Sequence, residues 1–408
     1  MPGPTRESGT SRAPPVGGDV PAGPPQTYGA IVWRQLRRRP GAMVSLVVII
    51  LLALMGTLAP LLGGGIPIRW VEKGEVSWPI FHYLTNLEYA AIVGLLLVLA
   101  LPLTARLLRR RAHAAGKSPM VWALLAHAAA WVIVTIGLAA LREPERRYTP
   151  YLERRAEADS ALFPLIDYPR QPGYKELANQ NQRPSWEHPL GTGRNGDDVL
   201  IGILYGGRTA MTIGFVAVGI SEVIGIALGA LSGFFGGWID LLMMRAAEIF
   251  MCIPRLILVI IILTVMPTWV SPIWMVVVVL GVTGWTGSYR LMRAELLRIR
   301  SEDYITAARA LGSPTWRLLI RHAVPNGLAP ILVGATFGIA GAVFLEVSLS
   351  FLNLVQTPSW GLMLTEGRQS IEHWWVWASA GGAIFLTVFV YNLLGEAIRD
   401  AIDPRLKI

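Results

Sequence analysis

Runs of about twenty mostly apolar residues recur along this chain, and no other feature restricts its fold so severely. A run of that length is what a helix needs to cross about 30 Å of hydrocarbon. Within a bilayer, only helices and closed barrels satisfy every backbone N–H and C=O group. Such runs occupy residues 42–62, 88–107, 120–141, 210–234, 239–265, 272–291, 328–351 and 376–398. They predict an all-α integral membrane protein, a polytopic bundle of about eight transmembrane helices. Composition agrees: the 408 residues are 53% hydrophobic and 15% charged, with a mean hydropathy of +0.48. Soluble domains run near a quarter charged.

The formal charge of +9 does not point to nucleic acid, because Arg and Lys gather at the ends of the apolar runs. That placement fits the positive-inside rule. Arg37, Arg38 and Arg39 precede the first run, Arg109, Arg110, Arg111 and Lys117 follow the second, and Arg290, Arg298, Arg309 and Arg321 surround the sixth-to-seventh connection. Both termini are therefore expected in the cytoplasm, with residues 142–208 outside. Residues 1–30, rich in Pro and Gly, are expected to be a disordered cytoplasmic tail. Residues 31–62 are a basic flank and first transmembrane helix, since the run is too long and starts too late for a signal peptide. The single cysteine, Cys252, supports neither a disulfide nor a cysteine-based metal site within one chain.

Enzymatic motifs are missing where they would be needed. There is no G-x-x-x-x-G-K-[ST] phosphate loop, H-E-x-x-H, or G-x-S-x-G in a strand-turn-helix setting. The chain is thus expected to carry no ATPase site, cofactor or metal of its own. Gly191, Gly193 and Gly196 fit a loose G-x-G-x-x-G but follow no predicted strand.

The connection at residues 301–326 is the most informative polar segment. It reads as two short helices around a break, the first capped by Ser301 and ended by Gly312, the second opened by Ser313 and Pro314. Ala307, Ala308 and Ala310 leave a surface flat enough for close approach by another protein. An ordinary amphipathic loop helix would look the same.

The segment resembles the EAA loop of ABC importer permeases, whose Glu-Ala-Ala, Gly and later Pro correspond in spacing to Thr306, Ala307, Ala308, Gly312 and Pro325, with Thr in place of Glu. The resemblance extends over the first helix and nearly everything from His188 to Arg405. His188-Pro189-Leu190-Gly191-Thr192, Phe235-Gly236-Gly237-Trp238, Pro358-Ser359-Trp360-Gly361 and Asp403-Pro404-Arg405 look like the C-type permease subunit of dipeptide and oligopeptide importers. That family usually has Asp and Arg where this chain has Gly193 and Asp197, and Gly where it has Asn353 and Val355.

The resemblance implies a six-helix type I permease core at residues 188–408, a second homologous permease subunit, two cytoplasmic ABC ATPases that use ATP and Mg, an external substrate-binding protein, and a peptide substrate, all at a bacterial inner membrane. It also implies that Thr306, Ala307, Ala308, Gly312, Ser313 and Pro325 couple the permease to an ATPase. Residues 63–187 are then an insertion holding two extra helices and a polar stretch with Tyr148, Tyr151, Tyr168 and Tyr174, either a peripheral hairpin or a docking element.

Ionisable residues inside the runs are pathway candidates by default, because isolated charge in hydrocarbon costs at least a few kcal/mol. Glu222 and Glu346, with Ser348, are the candidates here. Glu248 and Glu396 are expected to pair with Arg245 and Arg399 three residues away. Trp374, Trp375 and Trp377, with His373, are expected to form an interfacial aromatic belt. Two rival readings remain: a proton-coupled secondary transporter working through Glu222 or Glu346, and a membrane-anchored scaffold. A permease for nickel or another small solute is the related alternative.

Overall fold

The computed structural model describes residues 28–107, 154–166, 179–265 and 272–402, with the single positions 127, 130 and 151. Apart from positions 127 and 130, the third apolar run, 120–141, falls outside those residues, as do Lys117, Tyr148, Tyr168 and Tyr174. Among the described residues, five helices are long and apolar enough to cross a membrane, or six if one bent pair is a single span.

The chain opens with α1 (Tyr28–Arg37) and α2 (Pro40–Leu62). Helix thus begins inside the stretch expected to be disordered to residue 30. Trp33 and the Arg37 guanidinium stack 5.1 Å apart on α1, and Pro40 occupies the first turn of α2, where its missing N–H is harmless. The region after α2, expected to be an insertion, then departs from the all-α expectation. β1 (Arg69–Glu72), β2 (Glu75–Ser77) and β3 (Ser160–Leu162) form a small antiparallel sheet in the order β2-β1-β3. The β1–β2 turn runs through Lys73 and Gly74, both at positive φ, which shapes the tight hairpin. Trp70 packs edge-on against Tyr151, ring centroids 5.1 Å apart. After the short α3 (Pro79–Tyr83), α4 (Asn86–Leu107) coincides with the second apolar run. Its entry is a capping box: Thr85 Oγ1 accepts from the Glu88 N–H at 3.3 Å, and the Glu88 carboxylate accepts from the Thr85 N–H at 2.5 Å.

The core is organised around α5 (Val199–Phe235), a 37-residue helix about 55 Å long. Asp198 caps it, accepting from the N–H groups of Leu200 and Ile201 at 2.8 and 3.1 Å. The helix extends eleven residues further toward its N-terminus than the apolar run starting at Ala210. Residues 199–209 are buried by protein as well as by apolar character, and hydropathy alone does not register that. Gly225, Gly229 and Gly233, four apart on one face, admit the backbone of α9 (Thr286–Ile299) so closely that a Cβ at each would lie within 2.9 Å of it. Without a hydrophobic force between helices in lipid, such close backbone approach is what joins them.

The run at 239–265 is not one helix. It divides into α6 (Gly237–Cys252) and α7 (Arg255–Val265), bent by 87° at a break that contains Pro254. Proline removes one helical hydrogen bond and its ring clashes with the carbonyl four residues earlier. The next span joins α8 (Pro272–Thr283) to α9 through a short interruption at Gly284 and Trp285. α10 (Asp303–Ala310) follows, then α11 (Thr315–Arg317), a π-helical turn at Leu318–Ala323 and α12 (Val324–Phe351), which run together as one span. The second short helix expected near Ser313 is therefore the beginning of a membrane helix. Pro325 follows the π turn directly, and widening the register there relieves the clash of its ring with the carbonyl one turn earlier.

α12 stops at Asn353, which has φ +60°. The Asn353 N–H donates to Ser350 O at 2.9 Å and Leu354 N–H to Leu349 O at 3.0 Å, the paired bonds of a Schellman ending. Asn is one of the few side chains that tolerate this left-handed conformation, so it can serve at a position where the resemblance leads one to expect Gly. A short helix absent from the apolar pattern, α13 (Trp360–Gln369), precedes α14 (Trp374–Ile402). α14 packs on α12 and α2, and an Arg39–Asp400 ion pair ties the start of α2 to the end of α14.

Candidate functional site

Three constellations of polar groups stand out, one at each end of the bundle and one within it. At the end carrying α10, a helix only eight residues long projects from the bundle. It is not capped by Ser301, whose hydroxyl instead donates to Arg298 O at 2.7 Å; the N-cap position is Glu302. The stop at Gly312 is as the sequence implied. Ser313 N–H donates to Ala308 O at 3.1 Å and Gly312 N–H to Arg309 O at 3.0 Å, with Gly312 at φ +80°, a second Schellman ending. The space around Gly312 is open, so its backbone conformation, not crowding, calls for glycine. Pro314, not Ser313, occupies the N-cap of the next helix.

The faces of α10 divide cleanly. Ile305 is buried and Ala308 packs half-buried beside it against Met292, Leu296, Leu318 and Ile331. Ala308 is thus part of the inner seam, not of the outward surface on which the sequence placed it, because positions three apart share a helix face. Thr306 and Ala307 face outward. Around them stand exposed apolar side chains: Tyr304, Leu311 at 87% exposure, Trp316 at 61% and Ile320 at 62%. Arg309, Arg317 and Arg321 are exposed among them. The Tyr304 hydroxyl meets Asn326 Nδ2 at 3.2 Å and pins α10 to the foot of α12. Nearby, Arg293 forks onto Asp240, Nη2 to Oδ2 at 2.6 Å, joining α6 to α9.

Within the bundle, the three pathway candidates do not share a face. Glu346 is 1% exposed, and Ser350 Oγ donates to its carboxylate at 2.7 Å. It lies where α12 packs on α13, near the Ser359 cap. Ser348, two residues on, is on a different side of α12, its hydroxyl turned back onto Phe344 O at 2.8 Å. Glu222 lies on α5, close to Ser288 of α9, and its Oε2 is buried without a hydrogen-bond partner. The expected Arg245–Glu248 pair is present at 2.6 Å. Glu396 and Arg399 form no ion pair among the described residues; they line a cavity beside Phe337 and Phe389.

At the other end, α13 is clasped by the 179–198 loop. Trp375, expected in an exposed belt with its neighbours, is instead 4% exposed and donates Nε1–H to Thr192 O at 3.0 Å, whereas Trp374 is 57% exposed. His188 Nδ1 and Asp198 Oδ2 meet at 2.9 Å, both buried. Glu366 reaches across to accept from the Arg194 N–H. A Cβ on Gly193 would stand 2.6 Å from Glu366 Oε1, so glycine there makes room for the carboxylate. Burial pushes the Glu366 pKa up, against the lowering effect of the Arg194 N–H; Asp197 adds to the rise.

Sequence reasoning missed three features: the break at Pro254, helix α13, and the ion pair between Arg208 of α5 and Glu88 of α4, both largely buried. Pro254 within an apolar run was the available signal for the first, and Ser359 as an N-cap for the second. The third joins residues 120 apart in the chain, and no local pattern announces it.

Comparison with known proteins places this arrangement. Residues 225–408 match the family model described as the binding-protein-dependent transport system inner membrane component, and residues 27–64 match the N-terminal TM domain of oligopeptide transport permease C. A putative peptide permease protein of Brucella suis is 36% identical over 257 residues, 60% of this chain and 84% of the relative. The oligopeptide transport system permease protein OppC of Bacillus subtilis is 35% identical over 250 residues, 60% of this chain and 80% of its own length. The dipeptide transport system permease protein DppC of the same species is 36% identical over 57% of this chain and 73% of its own.

Proposed function

Since the chain belongs to the family of binding-protein-dependent transport system inner membrane components, the permease subunits of ABC importers, we propose that it forms half of a pathway importing dipeptides or oligopeptides. The relatives' peptide specificity supports the substrate class. The partners are a second permease subunit and two ATPases, which use ATP and Mg; a substrate-binding protein delivers the peptide from outside.

The observation that carries the reading is the α10 end. A short helix with a fixed stop presents Ala307 and Thr306 between exposed Leu311, Trp316 and Ile320. Exposed apolar clusters rimmed by charge mark protein contacts. The Arg side chains at the same end, and the Arg39–Asp400 tie between α2 and α14, support placing this end and both termini in the cytoplasm. ATPase closure there would tilt α10 and, through Tyr304–Asn326 and the π turn, rock α12. Gly312, Ser313 and Pro325 fix that lever, and Ala308 holds it to the bundle. Ser348 and Glu222 remain the candidates for lining the pathway, whereas the burial of Glu346 suits it to seating α13.

Ala307→Arg tests this reading, since Ala307 points outward and the change leaves the inner seam alone. Normal membrane abundance, loss of co-purifying ATPase and loss of ATP-driven uptake are expected. Unchanged ATPase recovery and uptake would refute the coupling role. Uptake that survives without ATP but collapses with the proton gradient would establish the secondary-transporter reading in its place.

A further inference from the structure

The end of α14 carries two opposite charges that do not meet. Glu396 and Arg399 share one face of the helix at a spacing where such side chains ordinarily pair. Among the described residues, neither forms a hydrogen bond or ion pair through its side chain. Both instead line a cavity of about 360 Å³ together with Phe389, Asn392 and Leu393 of α14 and Phe337 of α12. That volume falls among those of small-molecule sites, about 300–1,000 Å³.

The level of this cavity in the bilayer follows from the helix itself. α14 has 29 residues and is about 43 Å long, which matches a bilayer with its headgroup layers, about 40–45 Å, rather than the hydrocarbon alone, about 30 Å. Its beginning carries the exposed Trp374 and Trp377, indoles of the kind that anchor a helix at an interface. At its other end Asp400 pairs with Arg39 of the basic flank, and α1, with Trp33 and Arg37 exposed, packs against α14. By helix rise, Glu396 lies about 9 Å from Ile402. The cavity therefore opens where headgroups give way to acyl chains. Further into the membrane the same face continues as Phe389 and Phe385, both exposed, their rings stacked with centroids 5.8 Å apart.

We propose that this cavity seats the headgroup of an aminophospholipid, its primary ammonium on Glu396 and its phosphate on Arg399, with an acyl chain along Phe389 and Phe385. Charge complementarity selects the occupant. An anionic headgroup would satisfy Arg399 but bring negative charge beside Glu396, and a quaternary ammonium has no N–H to donate to the carboxylate. A primary ammonium has three donors, and a guanidinium fork matches phosphate in geometry as well as charge. The Asn392 amide can donate to an ester or phosphodiester oxygen of the same molecule. The assignment does not depend on what the transporter carries.

The test uses the complete transporter in mild detergent, with dioleoyl phosphatidylethanolamine, phosphatidylglycerol and phosphatidylcholine as probes and native mass spectrometry to read bound lipid. The wild type should hold the ethanolamine lipid at least about tenfold more tightly than the other two, a factor equivalent to about 1.4 kcal/mol. Both charged positions are exposed, so their variants leave the packed core alone. Glu396→Gln should move the preference toward phosphatidylglycerol, because the repulsion is gone and Arg399 remains. Arg399→Gln should weaken both lipids. Equal binding of the three lipids by the wild type, or a preference that both variants retain, would overturn the assignment. Loss of the second permease subunit from both variants would overturn it too, by giving this face to that partner. So would thermal stabilisation of the wild type by trialanine that both variants lose, since the cavity would then belong to a peptide.

Discussion

Replacing Gly229 by alanine should loosen the seam between α5 and α9, although alanine is the better helix former by about 1 kcal/mol. The added Cβ would stand 2.5 Å from Tyr289 O and 2.8 Å from Met292 Cβ, where ordinary contact begins at 3.4 Å. The Tyr289 carbonyl is backbone within α9 and cannot rotate away, so α9 must retreat by about 0.9 Å. A gap of that size forfeits a quarter to a half of each dispersion contact. With on the order of 40 atom pairs at about 0.1–0.2 kcal/mol each, the loss is roughly 1–4 kcal/mol, which overlaps the usual cost of overpacking, about 1–3 kcal/mol. Gly341→Ala is the matched control, because Gly341 also sits in a helix interior but a Cβ there meets nothing within 4 Å. The difference between the variants removes the propensity term and leaves the seam. Thermal unfolding of the detergent-purified subunit should therefore place Gly229→Ala clearly below Gly341→Ala. If Gly229→Ala melts at or above the control, the close approach of α5 and α9 is not what binds them.

Two further perturbations probe the α13 end and the contact of α4 with α5. Burial raises the pKa of Glu366, so the folded state binds its proton more tightly than the unfolded state does, and the packing around this side chain, not its bond from the Arg194 N–H, should gain stability as pH falls from neutrality toward the usual glutamate range near 4.3 and lose it as pH rises through the folded value. Protection of the amides at residues 191–197, taken relative to their intrinsic exchange rates at each pH, should rise on acidification in the wild type and lose that dependence in Glu366→Gln, which still accepts from Arg194 N–H; identical pH profiles of protection would refute the assignment. For the Arg208–Glu88 pair, Glu88→Gln and Arg208→Gln should each cost about 1.5–3 kcal/mol, the worth of a charge-assisted hydrogen bond, and the double variant less than the sum; strict additivity in the cycle would show that the pair does not hold α4 to the core.

Much of the bundle was legible because its signals are local. Apolar length located α2, α4, α12 and α14, and Gly312 announced the end of α10 through a conformation that only a few residues adopt. The α10 connection was recognised for the same reason: its small residues, glycine stop and later proline are close together in sequence. What failed was the inference of facing. Ala308 was placed outward with Ala307, yet it turns inward because Ile305, one helical turn earlier, defines the buried side. Trp375 was grouped with Trp374, yet one indole seeks the Thr192 carbonyl and the other stays exposed. Hydropathy counts residues without regard to direction, so it cannot separate such neighbours.

The helix breaks expose a deeper limit of reading by hydropathy. Residues 239–265 are mostly apolar, and that criterion rewards continuity, yet Pro254 divides them and the chain turns by 87°. A break of this kind strands backbone groups and leaves the stretch from Cys252 to Arg255 exposed on the isolated subunit, conditions that a lipid-facing helix does not tolerate. The same break places Arg255 against Leu280 O, at the second interruption in the neighbouring span. Two local defects, each unfavourable alone, thus become mutually supporting once they are adjacent, with Gly284 making the room and Ser221 satisfying the freed carbonyl of Gly281. The sites where the apolar pattern is least informative are therefore the sites where polar chemistry can enter the membrane. A lone proline inside an apolar run, followed directly by an arginine, is the sequence trace of that arrangement.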